Sequence, residues 1–339
     1  VWGQALARYL RGGHVFGRTL VLADIYEATR AQYLYASIAT GLLVSLSKAP
    51  RTKEELLDEL DVRRPELLDA LLNLGVSWRE LRVNNDRYSI RGRRSRAIVS
   101  EVGDPFMAHV QESTWYSGSV YVELAARLRG APLGTYLDQS GELVARSSRV
   151  AEPPTAAFLS RVLRTVRPRT VLDVGCGSGV YLRQAATSLH DLSGLGIDSS
   201  SDAAQLARNN VLLWGLEDRI EIAEGDMRDP SLEIPGPFEL VTLFHNLYYF
   251  EPDERPPLLT RLAQLTGPGG AIAIVSLFQG RTRVTSHFEV VFRSTMGNTP
   301  LPALDETISL LAKSGLRADR PKRLVPFESL YGIVARPTH

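Results

Sequence analysis

Residues 170–179 read Thr-Val-Leu-Asp-Val-Gly-Cys-Gly-Ser-Gly, an apolar run that stops in three glycines at alternate positions. No other stretch narrows the choice of fold as much. A short aliphatic run without a polar face is a strand buried on both sides. The glycines allow a tight turn and bring bare backbone N–H groups against a ligand, and the helix that follows points its positive N-terminus the same way. Strand, glycine turn and helix open a doubly wound α/β sheet. Such a sheet binds its ligands at the carboxyl ends of the strands, where the strand order reverses.

The pattern recurs downstream. Gly194-Leu195-Gly196-Ile197-Asp198, Arg219-Ile220-Glu221-Ile222, Leu240-Val241-Thr242-Leu243-Phe244 and Ala271-Ile272-Ala273-Ile274-Val275 are strand-like, and Ala203, Leu206, Ala207 and Val211 mark a helix. Apolar strands alternating with helices predict a mostly parallel sheet covered on both faces. A closing helix through Ile308 and Leu311 and a terminal hairpin complete a domain from 167 to 339.

Two blocks precede it. In residues 1–100 a helix carries Ile25, Ala28, Ala31, Leu34 and Tyr35, and Thr52-Lys53-Glu54-Glu55 reads as a capping box. Pro65 then opens a leucine-rich helix that Gly75 is placed to end. Val76 to Tyr88 reads as a strand pair around Asn84-Asn85-Asp86. The result is a winged-helix arrangement. Residues 101–166 are helical and aromatic, suited to linking two domains and roofing a cleft between them.

Taken alone, the glycine loop fits a dinucleotide as readily as anything else. Three acidic positions change this. Asp173, inside the strand end, repels a pyrophosphate and attracts an amino group. Asp198 ends the second strand, where a carboxylate accepts both hydroxyls of a ribose. Asp226 follows Gly225 after the third, placed to accept from an adenine amino group, with Met227 as a polarisable contact for the ring. An amine, a ribose diol and an adenine without phosphate fit best.

In order and spacing, Val171 to Gly179, Asp198, Gly225-Asp226-Met227 and Leu265-Thr266-Gly267-Pro268-Gly269-Gly270 resemble the successive motifs of class I S-adenosylmethionine-dependent methyltransferases. The segment from Thr52 to Tyr88 is similar to the winged-helix dimerisation domain of the small-molecule O-methyltransferases. This resemblance implies a Rossmann-like sheet of seven strands and S-adenosylmethionine as cofactor. The cofactor would be held by Asp173, Gly175, Gly177, Gly179, Asp198, Gly225, Asp226 and Met227. It also implies a homodimer formed through residues 1–100 and a small-molecule acceptor beneath the 101–166 roof.

The acceptor chemistry centres on His245, just past the fourth strand. In the family a His at this place is the general base and is followed by Asp. Here Asn246 stands instead, and Tyr248-Tyr249-Phe250 form an added aromatic stretch. A base and a hydrogen-bonding wall residue both remain open roles for His245. Phe106, His109, Trp115, Tyr116, Asn246, Tyr249 and His287 are the candidate substrate contacts. The expected acceptor is a hydroxyl of a secondary metabolite. The alternative is methylation at S, N or C of a small carboxylic acid, a thioether acid or a 2-oxo acid, with Arg146 and Arg149 as carboxylate partners. Two histidines without an evident carboxylate do not make a metal site, and no metal is expected.

Charge and cysteine content set the outer bounds. The net charge of +1 over 339 residues gives no global field for nucleic acid or membrane. A DNA-binding regulator with a cofactor-sensing domain is the rival reading, because the wing is basic, with Arg79, Arg82, Arg87, Arg91, Arg93, Arg94 and Arg96. Its candidate recognition helix, however, presents Glu66, Asp69 and Asn73 and no Lys or Arg, so no nucleic-acid partner is expected. Ile38 to Leu46 is too short to cross a bilayer. With Cys176 as the single cysteine and no secretory signal visible, the expected location is the cytoplasm.

Overall fold

The computed structural model describes residues 14–135, 140–296 and 300–338, so the first thirteen residues of the expected 1–100 domain lie outside the described residues. The chain divides into two compact units at the Tyr116–Ser117 junction, inside the segment read as a linker.

The first unit contains α1 (Val15–Ala39), α2 (Leu42–Lys48), α3 (Lys53–Glu59), α4 (Pro65–Ser77), α5 (Arg93–Ile98) and α6 (Asp104–Glu112). A small antiparallel sheet has the order β1 (Arg51–Thr52), β3 (Arg87–Ile90), β2 (Leu81–Asn84). The capping box forms as expected: Thr52 Oγ1 accepts from the Glu55 N–H at 3.2 Å while Glu55 accepts from the Thr52 N–H at 2.9 Å. Asn85 and Asp86 both hold positive φ, 50° and 58°, which a tight two-residue hairpin requires.

Two expectations are corrected here. Helix α4 runs through Gly75 to Ser77, so this glycine is not the stop. A Cβ there would stand 2.3 Å from the Tyr33 hydroxyl and 2.9 Å from Leu81, and it is close packing that demands glycine. In α1 the expected face is mostly uncovered: Leu34 is buried and Tyr35 half-buried, whereas Ile25, Ala28 and Ala31 are exposed, and Phe16, Leu20 and Tyr26 are exposed beside them.

The second unit begins with α7 (Gly118–Arg127), β4 (Gly134–Thr135), α8 (Gly141–Ser147) and α9 (Glu152–Val166). Then β5 (Thr170–Val174), α10 (Val180–Ser188), β6 (Ser193–Asp198), α11 (Ser201–Leu213) and β7 (Ile220–Glu224) follow in alternation. The remainder is β8 (Phe238–Phe244), α12 (Arg255–Leu265), β9 (Thr266–Leu277), α13 (Arg283–Arg293), β10 (Thr295–Met296), α14 (Leu304–Lys313), β11 (Leu316–Ala318), β12 (Lys322–Arg323) and β13 (Leu330–Pro337). The main sheet has the order β11-β13-β9-β8-β5-β6-β7, with the short β12 paired to β13. Strands β5 to β9 pair in parallel, and β13 lies antiparallel against β9. The expected doubly wound, mostly parallel sheet is therefore present, with seven strands on its path.

Alternation along each strand sends side chains to opposite faces. In β9, Ala271, Ala273 and Val275 join a core with Phe158, Leu159 and Leu182, while Ile272 and Ile274 join another with Leu258, Leu259 and Leu262. Helices cover both faces, as apolar parallel strands require. The chain steps outward from β5 to β6 and β7, then returns to place β8 on the other side of β5. That reversal opens the site. Among the described residues no helix is long and apolar enough to cross a membrane.

Candidate cofactor and active site

A cavity of about 630 Å³ lies at the carboxyl ends of β5, β6, β7 and β8. Its wall includes Gly175, Gly177, Asp198, Gly225, Asp226 and Met227, six of the eight positions expected to hold a cofactor. Gly179 caps α10 at φ 78° and faces Ala207 and Trp214. Asp173 lies behind the wall and is fully buried. Its Oδ1 accepts a 2.6 Å hydrogen bond from Thr242, and its Oδ2 has no hydrogen-bond partner.

The loop amides differ from expectation. Rather than standing bare toward a ligand, the Gly175 and Cys176 N–H groups donate to Ile197 O at 2.7 and 3.0 Å, and Gly179 N–H donates to Cys176 O at 2.9 Å. Gly177 N–H donates to Asp198 Oδ2 at 2.9 Å. The glycines are needed for conformation instead: Gly175, Gly177 and Gly179 have φ of 67°, 54° and 78°. Four amides of the loop are thus already engaged by oxygens of the chain, three of those amides by residues of β6, and do not form a nest for a phosphate.

Asp198 closes that loop. Its Oδ1 accepts from the Ser200 N–H at 3.0 Å, and desolvation still holds its carboxyl above the usual carboxylate range. Each oxygen retains a lone pair for a ligand on the cavity side. Asp226 is engaged by Arg228 at 3.1 Å. The same guanidinium bonds Glu254 at 2.9 Å and lies 4.6 Å over the Phe250 ring. Met227 is buried, and its carbonyl accepts from Arg261.

His245 also lines the cavity. It takes a positive φ of 58° where the chain leaves β8, held by a 2.7 Å bond from its N–H to Val275 O. Its Nε2 lies 3.0 Å from Thr155 Oγ1. Desolvation pushes its pKa down to about 4, so the ring is neutral at ordinary pH. Asn246 uses its amide group to bond the carbonyls of Phe244, Gly175 and Val174 at 2.7, 2.9 and 3.2 Å, tying the end of β8 to the glycine loop. Tyr249 sits on the wall in an aromatic cluster with Tyr248 and Phe292.

His287 has a different neighbour: its Nδ1 lies 2.9 Å from the Tyr121 hydroxyl, with the rings stacked. Phe106, His109, Trp115 and Tyr116 belong to the first unit, where Phe106 and Trp115 are exposed, His109 faces Glu112 and Tyr116 is buried. Arg149 lines the cavity and pairs with Glu152, whereas Arg146 pairs with Glu142. Cys176 packs in the core with its thiol pushed well up by burial, which makes it a filler and not a nucleophile. Sequence reasoning missed Thr155, Tyr181 and Arg228. Only the position of Arg228, beside Gly225-Asp226-Met227, carried any signal.

Residues 171–270 match the family described as a methyltransferase domain. The chain carries a methyltransferase domain. The curated relatives include carboxy-S-adenosyl-L-methionine synthases of Citrobacter koseri, 31% identical, and of Escherichia coli O7:K1, 30% identical. Each match runs over 118 residues, 34% of this chain and 47% of the relative, so the chain spans about half the length of the curated relatives it matches. Solved structures similar to it include a mitomycin 7-O-methyltransferase (TM-score 0.76, 18% identity, 96% of this chain and 99% of that one). Human N-acetylserotonin methyltransferase in complex with S-adenosylmethionine gives 0.74, 16%, 95% and 98%. A riboflavin-derivative N,N-dimethyltransferase of Streptomyces davawensis gives 0.69, 19%, 95% and 99%. These likenesses show that the fold is shared over nearly the whole chain.

The cofactor of such a domain is S-adenosylmethionine, and the site fits it. The buried, unpartnered Asp173 Oδ2 calls for a cation, Asp198 offers two oxygens to a diol, and the amides of Gly175, Cys176, Gly177 and Gly179 are already engaged within the chain. Burial pushes Asp173 up to about 7, with Asp198 adding to the shift. Between about pH 4, where a free aspartate titrates, and 7, the folded chain holds a proton that the unfolded chain has released. The ligand-free chain therefore loses stability as pH rises through that window. A cationic group near Oδ2 favours the carboxylate and reverses the balance. Cofactor affinity measured by calorimetry is expected to rise from pH 5 to 7, by at most about tenfold per unit, with proton release near pH 6. Asp173→Asn should flatten both, and a pH-independent affinity in the unaltered chain would contradict this role.

Proposed function

We propose that this chain transfers a methyl group from S-adenosylmethionine to a hydroxyl of a small secondary metabolite, and that it does so as a cytoplasmic homodimer. The observation that carries the reading is a cavity with ligand-ready carboxylates at its base and a neutral imidazole on its wall. When bound, the cofactor supplies an electrophilic methyl group on a positively charged sulfur. Asp198 holds a ribose, Asp226 and Met227 flank an adenine, and Asp173 attracts the amino group. His245, being neutral, accepts the hydrogen bond of the incoming O–H and aligns the oxygen. A base of such low pKa suits an acidic hydroxyl, a phenol more than an alkanol. The relatives named for 7-O-methylation of mitomycin and methylation of N-acetylserotonin support a small acceptor. Asn246, Tyr249 and His287, all in the second unit, are the proposed acceptor contacts.

A panel of phenols, aromatic amines, 2-oxo acids and thioether acids, scored by release of S-adenosylhomocysteine, tests the reading. Phenols should turn over, and His245→Ala should lose most of that turnover while keeping cofactor affinity. Turnover confined to thioethers or 2-oxo acids would overturn the hydroxyl assignment.

The dimer is supported by α1, whose exposed Phe16, Leu20, Ile25 and Tyr26 form apolar surface on a single helix. Sedimentation should give a dimer at micromolar concentration, and Leu20→Glu combined with Ile25→Glu should give a folded monomer. A monomeric unaltered chain would remove this part of the proposal.

A further inference from the structure

His245 touches Thr155, a residue that no motif includes. Thr155 is fully buried on the first turn of α9, ninety residues before its partner. Its hydroxyl donates to the Ala151 carbonyl at 2.9 Å, and the same oxygen lies 3.0 Å from His245 Nε2. A hydroxyl has one proton and two lone pairs. With that proton on Ala151, the imidazole must donate from Nε2–H, so that two protons make two hydrogen bonds. The opposite tautomer uses the threonine proton on Nε2, strips Ala151 of its bond and leaves an N–H on Nδ1 to be satisfied elsewhere. Buried polar groups favour the fuller count.

We propose that Thr155 is a positioning residue that locks His245 as the Nε2–H tautomer, leaving Nδ1 as its only acceptor. The backbone reinforces the lock. The main chain that carries the ring is fixed, because the His245 N–H is bonded to Val275 and Asn246 ties the end of β8 to the glycine loop. The Tyr181 hydroxyl is a further hydrogen-bond partner of Thr155; with the threonine proton on Ala151, the two lone pairs of Oγ1 accept from the Tyr181 O–H and the His245 Nε2–H, so the Nε2–H tautomer still gives the fuller count. Resting on the reading of His245 as the residue that meets the acceptor, the lock has a consequence for specificity. An imidazole that presents only a lone pair selects acceptors with a hydrogen to give, and a thioether has none.

The tautomer is directly readable without any acceptor. Long-range proton–nitrogen correlation spectra of histidine-labelled chain, assigned by loss of the signal in His245→Gln, should show the Nε2–H pattern unchanged from pH 8 to 5. Thr155→Val, which keeps the shape and removes the acceptor oxygen, should give a mixture of tautomers, and Thr155→Ser should restore the single form. With a phenol substrate, kcat should fall at least tenfold in Thr155→Val and recover in Thr155→Ser, while cofactor affinity stays within twofold. An Nδ1–H pattern in the unaltered chain, or an unaltered tautomer in Thr155→Val, would overturn the lock. Failure of every hydroxyl acceptor with the spectra as expected would instead overturn the hydroxyl reading and leave the lock standing.

Discussion

Asp198→Ala is expected to weaken S-adenosylmethionine binding by about 10- to 100-fold, or roughly 1.4–2.8 kcal/mol, the worth of a charge-assisted bidentate contact. The structure adds a second loss. Asp198 accepts from the N–H groups of Gly177 and Ser200, so its removal leaves two amides of the site without their oxygen. Each lost bond costs about 1 kcal/mol in folding stability, so the variant should also unfold at lower urea concentration. Asp198→Asn separates the effects. Its remaining carbonyl oxygen can keep one of the two amides, but its NH2 faces the other, and the charge is gone. Calorimetric titration of both variants, with unfolding curves beside them, gives the two terms independently. Affinity unchanged in Asp198→Ala would remove this carboxylate from the cofactor site.

Gly175→Ala should be the most damaging single change in the loop, at about 3 kcal/mol of stability. The conformation alone, φ 67°, costs a side-chain-bearing residue about 1–2 kcal/mol. The added Cβ would also stand 2.2 Å from Asn246 Nδ2, where that amide bonds three backbone carbonyls. Displacing the amide opens those bonds, for another 1–2 kcal/mol or so. Urea unfolding of Gly175→Ala, Asn246→Ala and the double variant checks the argument. The double variant should be less destabilised than the sum, because removing the amide relieves the collision but not the backbone strain. Strict additivity would mean that the two residues do not meet.

The strands were legible because a buried parallel strand leaves a continuous apolar run, and Asp198, Gly225 and Asp226 were legible because strand register carries them to one end of the sheet. The capping box at Thr52 was equally local, its two partners standing three residues apart. Contacts between distant segments were another matter. The oxygens that receive the Gly175, Cys176 and Gly177 amides belong to Ile197 and Asp198, and only the β5–β6 pairing brings them there. Thr155 meets His245 across ninety residues, and nothing in a helix opening Glu-Pro-Pro-Thr announces a hydroxyl aimed at an imidazole. Gly75 was misread because a glycine at the end of an apolar pattern resembles a helix stop, whereas Tyr33 and Leu81 exclude a side chain there. The end of the sheet where these residues gather was thus readable, and its interior wiring was not.

That wiring bears on turnover. The amides of Gly175, Cys176, Gly177 and Gly179 already have oxygens of their own, so the loop's closed shape does not depend on a visitor. Neither arrival of the donor nor departure of the spent nucleoside has to fold or melt this segment. The chain can exchange one for the other against a fixed template, and the slow amide exchange expected there should persist between catalytic cycles.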